Sequence, residues 1–223
     1  MLAVFACVMC MVNAFARDVN REKREVTEFT RIEVSKGANI SLIQADRFEL
    51  EVVTEGCPTA DVETIVKGDV LTVKMKKKTK GSAVEVFVYF KDIESVKVKS
   101  GASVTTDCSF DHKGLFTLEV EPKCEADMEL YVDELNVVGS SCSIELRGKA
   151  TKQKVEIAGT FKDSKYDAES LVSDDVEIYA SGCGAVVNAQ KTLNAEAVGS
   201  DIKYVGDPEI SKKESSGGSI GKN

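Results

Sequence analysis

A chain of 223 residues and 24.1 kDa holds enough material for one large all-β domain or two small ones with a full core, which excludes general disorder outside its ends. Lys and Arg number 29 against 37 Asp and Glu, a net charge of −8, and so acidic a surface speaks against nucleic acid or anionic lipid as the main partner. With one histidine and no tryptophan, the chain has little to offer for imidazole catalysis or for stacking a sugar ring on an indole.

The chain opens with an apolar stretch from Leu2 to Val12, too short to span a bilayer, followed by Asn13-Ala14-Phe15-Ala16 ahead of Arg17-Asp18. This is the h-region and A-x-A cleavage pattern of a signal peptide over residues 1–16, although no basic n-region precedes it. A buried N-terminal strand or helix, or lipoprotein processing through Cys7 or Cys10, are the other readings. Export places the mature chain, which has no transmembrane span, in the periplasm, on the outer membrane surface or outside the cell. Residues 17–25 are polar throughout, with no apolar period, and are expected to form a mobile tether.

From 26 to 93 apolar residues alternate over longer strands: Phe29, Ile32 and Val34; Ile40 and Leu42; Phe48, Leu50 and Val52; Leu71 and Val73; Val84, Val86 and Val88. Gly37, Gly56-Cys57-Pro58 and Lys80-Gly81-Ser82 punctuate them, and Lys67-Gly68-Asp69-Val70 is a hairpin signal that predicts antiparallel pairing here. From Glu94 onward the spacing tightens and one phrase recurs. It reads Ser100-Gly101-Ala102-Ser103-Val104, Ser140-Ser141-Cys142-Ser143-Ile144, Ser181-Gly182-Cys183-Gly184-Ala185-Val186, Gly199-Ser200-Asp201-Ile202 and Ser216-Gly217-Gly218-Ser219-Ile220. Self-similarity at roughly 16 to 22 residues, carried by Gly, Ser and β-branched residues, predicts stacked β-coils over 94–223, with short strands of four to six residues. The fold class is all-β: a right-handed parallel β-helix-like solenoid after an N-terminal part of longer, partly antiparallel strands, its hand following the general preference of parallel crossovers.

Aligned on the apolar residue, Ala102, Cys142, Gly184, Ser200 and Gly218 fall two positions before Val104, Ile144, Val186, Ile202 and Ile220, and Cys124 fits the same slot before Ala126. Residues two apart share a strand face, so the slot points inward, where only a small side chain fits. Cys124 and Cys142 therefore read as buried small hydrophobes. A disulfide between them is the sharper alternative, since stacked strands lie about 4.8 Å apart and bridged Cα atoms about 4.4–6.8 Å. The glycines suit left-handed or crowded corners. The last phrase makes only a modest cap, which leaves a homo-oligomer through the coil ends as an option.

In these phrases the chain resembles the putative auto-transporter adhesin, head GIN domain family of exported bacterial proteins. The resemblance is carried by Phe29-Thr30-Arg31-Ile32-Glu33-Val34 with Gly37-Ala38-Asn39-Ile40-Ser41-Leu42, by Asp69-Val70-Leu71-Thr72-Val73, and by Val84-Glu85-Val86-Phe87-Val88-Tyr89-Phe90 running into Ser95-Val96-Lys97-Val98-Lys99-Ser100-Gly101-Ala102. Tyr204-Val205-Gly206-Asp207-Pro208 ahead of the last repeat completes it. It covers nearly all of 26–223 and implies one continuous, two-part, β-helix-like domain in the cell envelope. Two features depart from the pattern. The inner slot is rich in cysteine, and the coil at 153–175 is poor in glycine, so an irregular or bulged turn is expected there.

Parallel β-helices also carry polysaccharide-cleaving enzymes, so pairs of acids bear on function. Glycoside cleavage needs two carboxyls about 5 to 10 Å apart. Asp127 and Glu129 share an outer face, while Asp133-Glu134 and Asp174-Asp175-Glu177 fall at coil edges; in so acidic a chain these read as solvated faces and turns. The acidic turns lack calcium-loop spacing, no C-x-x-C follows residue 16, and a zinc site is not indicated. Lys74 to Lys80 reads as a solvated turn and protected edge, with an anionic-polymer contact as the functional alternative. His112 sits in a turn-like phrase, expected to be exposed, with no nucleophile in reach. The expectation is a non-enzymatic protein without cofactor or metal, which binds a surface glycan or protein through an outer face on which Ser103, Thr105, Ser143, Glu145 and Lys203 supply hydrogen bonds. A self-associating structural envelope protein and, less favoured, a polysaccharide-processing enzyme are the alternatives.

Overall fold

The computed structural model describes residues 19–77, 80–160 and 164–223. The expected signal peptide at 1–16, the first residues of the expected tether, and Lys78 and Thr79 of the basic run lie outside the described residues. The strands, in chain order, are β1 (Val19–Glu25), β2 (Arg31–Ser35), β3 (Asn39–Gln44), β4 (Glu49–Glu55), β5 (Val62–Lys67), β6 (Val70–Met75), β7 (Ala83–Phe90), β8 (Ser95–Val98) and β9 (Ser103–Thr106). Then come β10 (Phe110–Val120), β11 (Glu125–Ser140), β12 (Ser143–Ala158), β13 (Lys165–Ser181), β14 (Gly184–Val198), β15 (Asp201–Val205), β16 (Glu209–Ser216) and β17 (Ser219–Lys222). Among the described residues, everything regular apart from a single 3₁₀ turn at Thr59–Asp61 is strand, wound as a solenoid of about seven turns. Among the described residues no helix is long and apolar enough to cross a membrane.

Parallel, in-register pairing builds the stack. One inner column runs Ile32, Val96, Leu118, Val137, Val155, Ile178, Ala195, each hydrogen-bonded strand placing the next residue directly above the last. A second runs Ile40, Val104, Ala126, Ile144, Tyr166, Ala185, Ile202, Ile220. All of these are buried, and each large aliphatic among them contributes about 1.5–3 kcal/mol. The two columns belong to two sheet faces, here termed the long face (β2, β8, the ends of β10 to β14, and β16) and the short face (β3, β9, the starts of β11 to β14, β15 and β17).

The corner leading into the short face is the same in coil after coil. A residue in the left-handed region, Gly37, Gly101, Lys123, Ser141, Gly182, Gly199 or Gly217, is followed at once by a small residue. Those followers are Ala38, Ala102, Cys124, Cys142, Cys183, Ser200 and Gly218, and all but the last are buried. The recurring phrase is this corner. In the third repeat the inward positions are Cys183, Ala185 and Val187, not Gly184 and Val186. The sequence alignment is one residue out of phase there, which in a strand exchanges the two faces.

Two further expectations change. The strands of the coils are not four to six residues long: β11 to β14 run 15 to 17 residues each. They bend at bulges such as Gly148 (φ 110°), where the β11–β12 ladder keeps its register while the β12–β13 ladder shifts. The expected tether 17–25 is, from Val19 on, the edge strand β1, antiparallel to β4. Its anchor is Arg24, whose guanidinium donates to the carbonyls of Val62 and Thr59, to Thr64 Oγ1 and to both carboxylate oxygens of Glu22, at 2.8–3.0 Å. A polar strand can hold an edge when its hydrogen bonds are this complete, and polar residues are what a solvent-facing edge requires. The hairpin at Lys67–Val70 joins antiparallel β5 and β6 as expected. The irregular coil is also found: register shifts between Glu145 and Gly148, and again between Ala168 and Val172.

That wider coil holds the largest fully buried side chain, Tyr166. Its hydroxyl accepts from Gln153 Nε2, and Gln153 Oε1 accepts from Ser173 Oγ at 3.0 Å, which satisfies a buried polar triplet inside the stack. At the C-terminal rung the inner columns change character: Lys213 and Ser215 pair beside Ala195 and Ala197.

The corners and the edge can each be tested. Gly148→Ala should cost more than about 2 kcal/mol of unfolding free energy, because its Cβ would lie 2.1 Å from the Leu130 carbonyl oxygen at φ 110°. Gly199→Ala, at φ 54° with open space around it, should cost about 1 kcal/mol; chemical denaturation measures both. Arg24→Ala should free β1 alone, seen as fast amide exchange confined to 19–25. Glu22 is held down at about 2 chiefly by its hydrogen bonds from Arg24, so its contribution is present above the ordinary carboxylate value and is lost as pH falls towards 2. The same strand should therefore loosen on acidification.

Candidate binding surfaces

The five residues anticipated as a binding face do lie on one face. Ser103 and Ser143 share an outward column of the short face with Glu125, Lys165, Asp201 and Ser219. Thr105, Glu145 and Lys203 share the next, with Asp127, Asp167 and Val186. Much of this face is already paired. Ser103 Oγ donates to Asn39 Oδ1 at 2.9 Å, Thr105 reaches the Ile40 carbonyl, Arg147 bridges Asp127 and Glu145, and Lys165 pairs with Asp167. Only Ser143 and Lys203 of the five keep their side chains free of a partner among the described residues.

Most of the acids considered for catalysis are likewise engaged, Glu129 and Glu177 excepted. Asp127 is held by Arg147, Asp133 accepts from the Gly114 amide at 3.0 Å, Glu134 pairs with Lys152, Asp174 with Lys191, and Asp175 accepts from Thr192 Oγ1 at 2.6 Å. Glu129 stands on the same face of β11 as Asp127. His112 is buried in β10, not exposed in a turn: its Nδ1 lies 2.7 Å from Asp92 Oδ1 and its ring packs edge-on to Phe116. The sequence suggests a turn because Lys113-Gly114 comes next, but that glycine makes a bulge within a continuous strand. No cluster of three metal-ligating side chains occurs among the described residues.

The long face carries a groove that the sequence reading does not single out. It has a volume of about 560 Å³ and spans five stacked strands, from Leu115 on β10 to Asn194 on β14. Its axis follows one outward column, Asn136, Lys154, Glu177, Asn194. Asn136, Glu177 and Asn194 make no side-chain hydrogen bond or ion pair among the described residues. Beside it runs a second column, Val138, Glu156, Tyr179, Glu196, in which Val138 is 41% and Tyr179 40% exposed. A signal for this site exists in the sequence: each of Asn136, Lys154, Glu177 and Asn194 immediately precedes an inner aliphatic residue, Val137, Val155, Ile178 or Ala195, so all four hold the same phase in successive coils.

The cysteines of the inner corner behave as space fillers. Cys57, Cys124, Cys142 and Cys183 are buried and unbridged, while Cys108 is exposed. Burial pushes the Cys142 thiol up to about 11 and raises that of Cys183 as well. At pH 8 the Cys142 thiolate is then a trace species. Alkylation of the folded protein at that pH, mapped by mass spectrometry, should label Cys108 within minutes and leave Cys124, Cys142 and Cys183 unmodified until denaturant is added.

Residues 28–208 match the family described as putative auto-transporter adhesin, head GIN domain. Among solved structures, one described as a putative adhesin from Bacteroides fragilis superposes with a TM-score of 0.80 at 20% identity, covering 92% of this chain and 96% of that one. A second, a putative adhesin from Parabacteroides merdae, gives 0.69 at 18% identity over 92% and 96% of the two chains. A third, from Parabacteroides distasonis, is described as a putative lipid binding protein and gives 0.67 at 19% identity over 92% and 97%. At these identities the likeness is one of fold. No curated protein matches the chain.

Proposed function

The chain belongs to the putative auto-transporter adhesin, head GIN domain family, and from that premise we propose that it is an exported, non-enzymatic module of the cell envelope that binds a surface glycan or protein through the groove of its long face. The observation that carries this reading is the column Asn136, Lys154, Glu177, Asn194, three of whose side chains have no partner among the described residues. Exposed polar groups left unpaired on a rigid sheet are ready to bond a ligand at no cost in broken internal contacts, whereas the paired charges of the short face would first have to be released. The anticipated residues Ser103, Thr105, Ser143, Glu145 and Lys203 thus form the second surface to test. An acyl chain, by contrast, calls for an apolar chamber, and the interior here is filled by its own side chains.

Export is supported by the family and by the signal-peptide pattern of residues 1–16. N-terminal sequencing of the protein from an envelope fraction should begin at Arg17; intact residues 1–16 on a cytosolic protein would count against this. For the groove, Val138→Arg sets a long cation between Glu119 and Glu156 and fills the space without touching the core. It should lower attachment of the purified protein to immobilised surface glycans and matrix proteins by at least tenfold, while Lys203→Ala changes it less than threefold. The reverse ranking would move the site to the short face.

A further inference from the structure

We propose that the groove's ligand is a neutral, hydroxyl-rich chain, an uncharged oligosaccharide lying along the solenoid axis. This assignment rests on the groove being the binding surface and adds the chemistry of what enters it.

Three features of the lining select that class. The first is backbone chemistry. The groove lies on the face of the sheet, and its strands β11 to β14 pair on both sides, so an extended peptide finds no open edge to join as an added strand. Recognition has to come from side chains. The second is charge. Two lysines, Lys152 and Lys154, stand against four carboxylates, Glu134, Glu156, Asp175 and Glu177. Lys152 is already paired with Glu134 at 3.2 Å and Lys154 approaches Glu156 at 3.7 Å. A sulfated or uronate-rich polymer would meet a net negative wall and no uncommitted cation cluster, the opposite of what anion binding needs.

The third feature is the pattern of what remains free. Asn136 and Asn194 each present an amide with two donors and an acceptor, a match for hydroxyls that both donate and accept. They sit three inter-strand steps apart in one column, about 14 Å at about 4.8 Å per step. Glu177, between them, adds a strong acceptor for a hydroxyl proton. Along the same groove the exposed Leu115 and Val138, and Tyr179 on the neighbouring column, offer apolar surface for the C–H faces of sugar rings. Polar contacts along the axis and apolar ones beside it suit a chain whose rings have hydroxyl edges and apolar faces.

The test uses the secreted full-length protein, with neutral gluco-, manno- and galacto-oligosaccharides, heparin fragments and fibronectin as probes, measured by calorimetry at low and high salt. Asn136→Ala/Asn194→Ala and Tyr179→Ala serve as variants; all three positions face outward, and unchanged thermal melting will show that the fold is intact. The expected result is binding of a neutral oligosaccharide that varies less than twofold with salt, falls at least tenfold in the double Asn variant and falls several-fold in Tyr179→Ala. Preference for heparin with steep salt dependence, or fibronectin binding lost in the same variants without any sugar binding, overturns the neutral-glycan assignment and leaves the groove standing. Binding of any probe that the groove variants do not weaken overturns the groove itself. Absence of binding to every neutral sugar up to about 1 mM, about −4 kcal/mol, also overturns the assignment.

Discussion

Everything in this fold depends on parallel strands stacking in register, one coil on the next. A coil can return to the same lateral position only if its corner turns the chain sharply, and a left-handed residue followed by a small inward one does this at Gly37-Ala38, Gly101-Ala102, Lys123-Cys124, Ser141-Cys142, Gly182-Cys183 and Gly199-Ser200. The turn fixes the phase of the strand beyond it. Two residues past each small corner residue comes the apolar residue that fills the core, from Ile40 to Ile202. Corner geometry thus governs core composition, and the cysteines at three corners are accounted for by size.

The same register that orders the interior orders the exterior. Outward residues form columns, so each coil contributes a side chain to a line whose spacing the backbone sets. On the short face the columns pair acids with bases, giving the mild stabilisation expected of exposed ion pairs. Along the axis of the long-face groove three side chains stand outside any such pairing: Asn136, Glu177 and Asn194 have no partner among the described residues. A sheet of this kind presents such groups with little rotational freedom in their backbone, so a ligand meets a surface already arranged.

Much of the architecture is legible because its causes are local. Left-handed corners favour Gly and leave it as repeated Ser-Gly phrases, the hairpin at Gly68 is written in two residues, and the irregular coil shows as missing glycine. The features that stay hidden depend on distant partners. β1 looks like a tether because its order comes from Arg24 reaching Val62 and Thr59 nearly forty residues on. His112 looks exposed because the sequence does not tell that Asp92 and Phe116 enclose it. The phase slip at Cys183 has a different origin: Ala185, Val186 and Val187 are all apolar, and only the strand above decides which face each takes. The groove escapes notice because its residues are ordinary one by one and acquire meaning only when four coils align them.

A stack of open strands ends in a row of unpaired amides and carbonyls, and such an edge can seed addition of further chains without limit. Here the last rung places Lys213 in the column occupied below by Val155, Ile178 and Ala195, with Ser215 in the column of Ile157, Ala180 and Ala197. A molecule adding end-on would have to strip water from that ammonium and bury it against aliphatic side chains, a cost of several kcal/mol. The exposed strand β16 therefore sets a side-chain cost against end-on stacking of another molecule, as an inward-pointing charge does on a sheet edge.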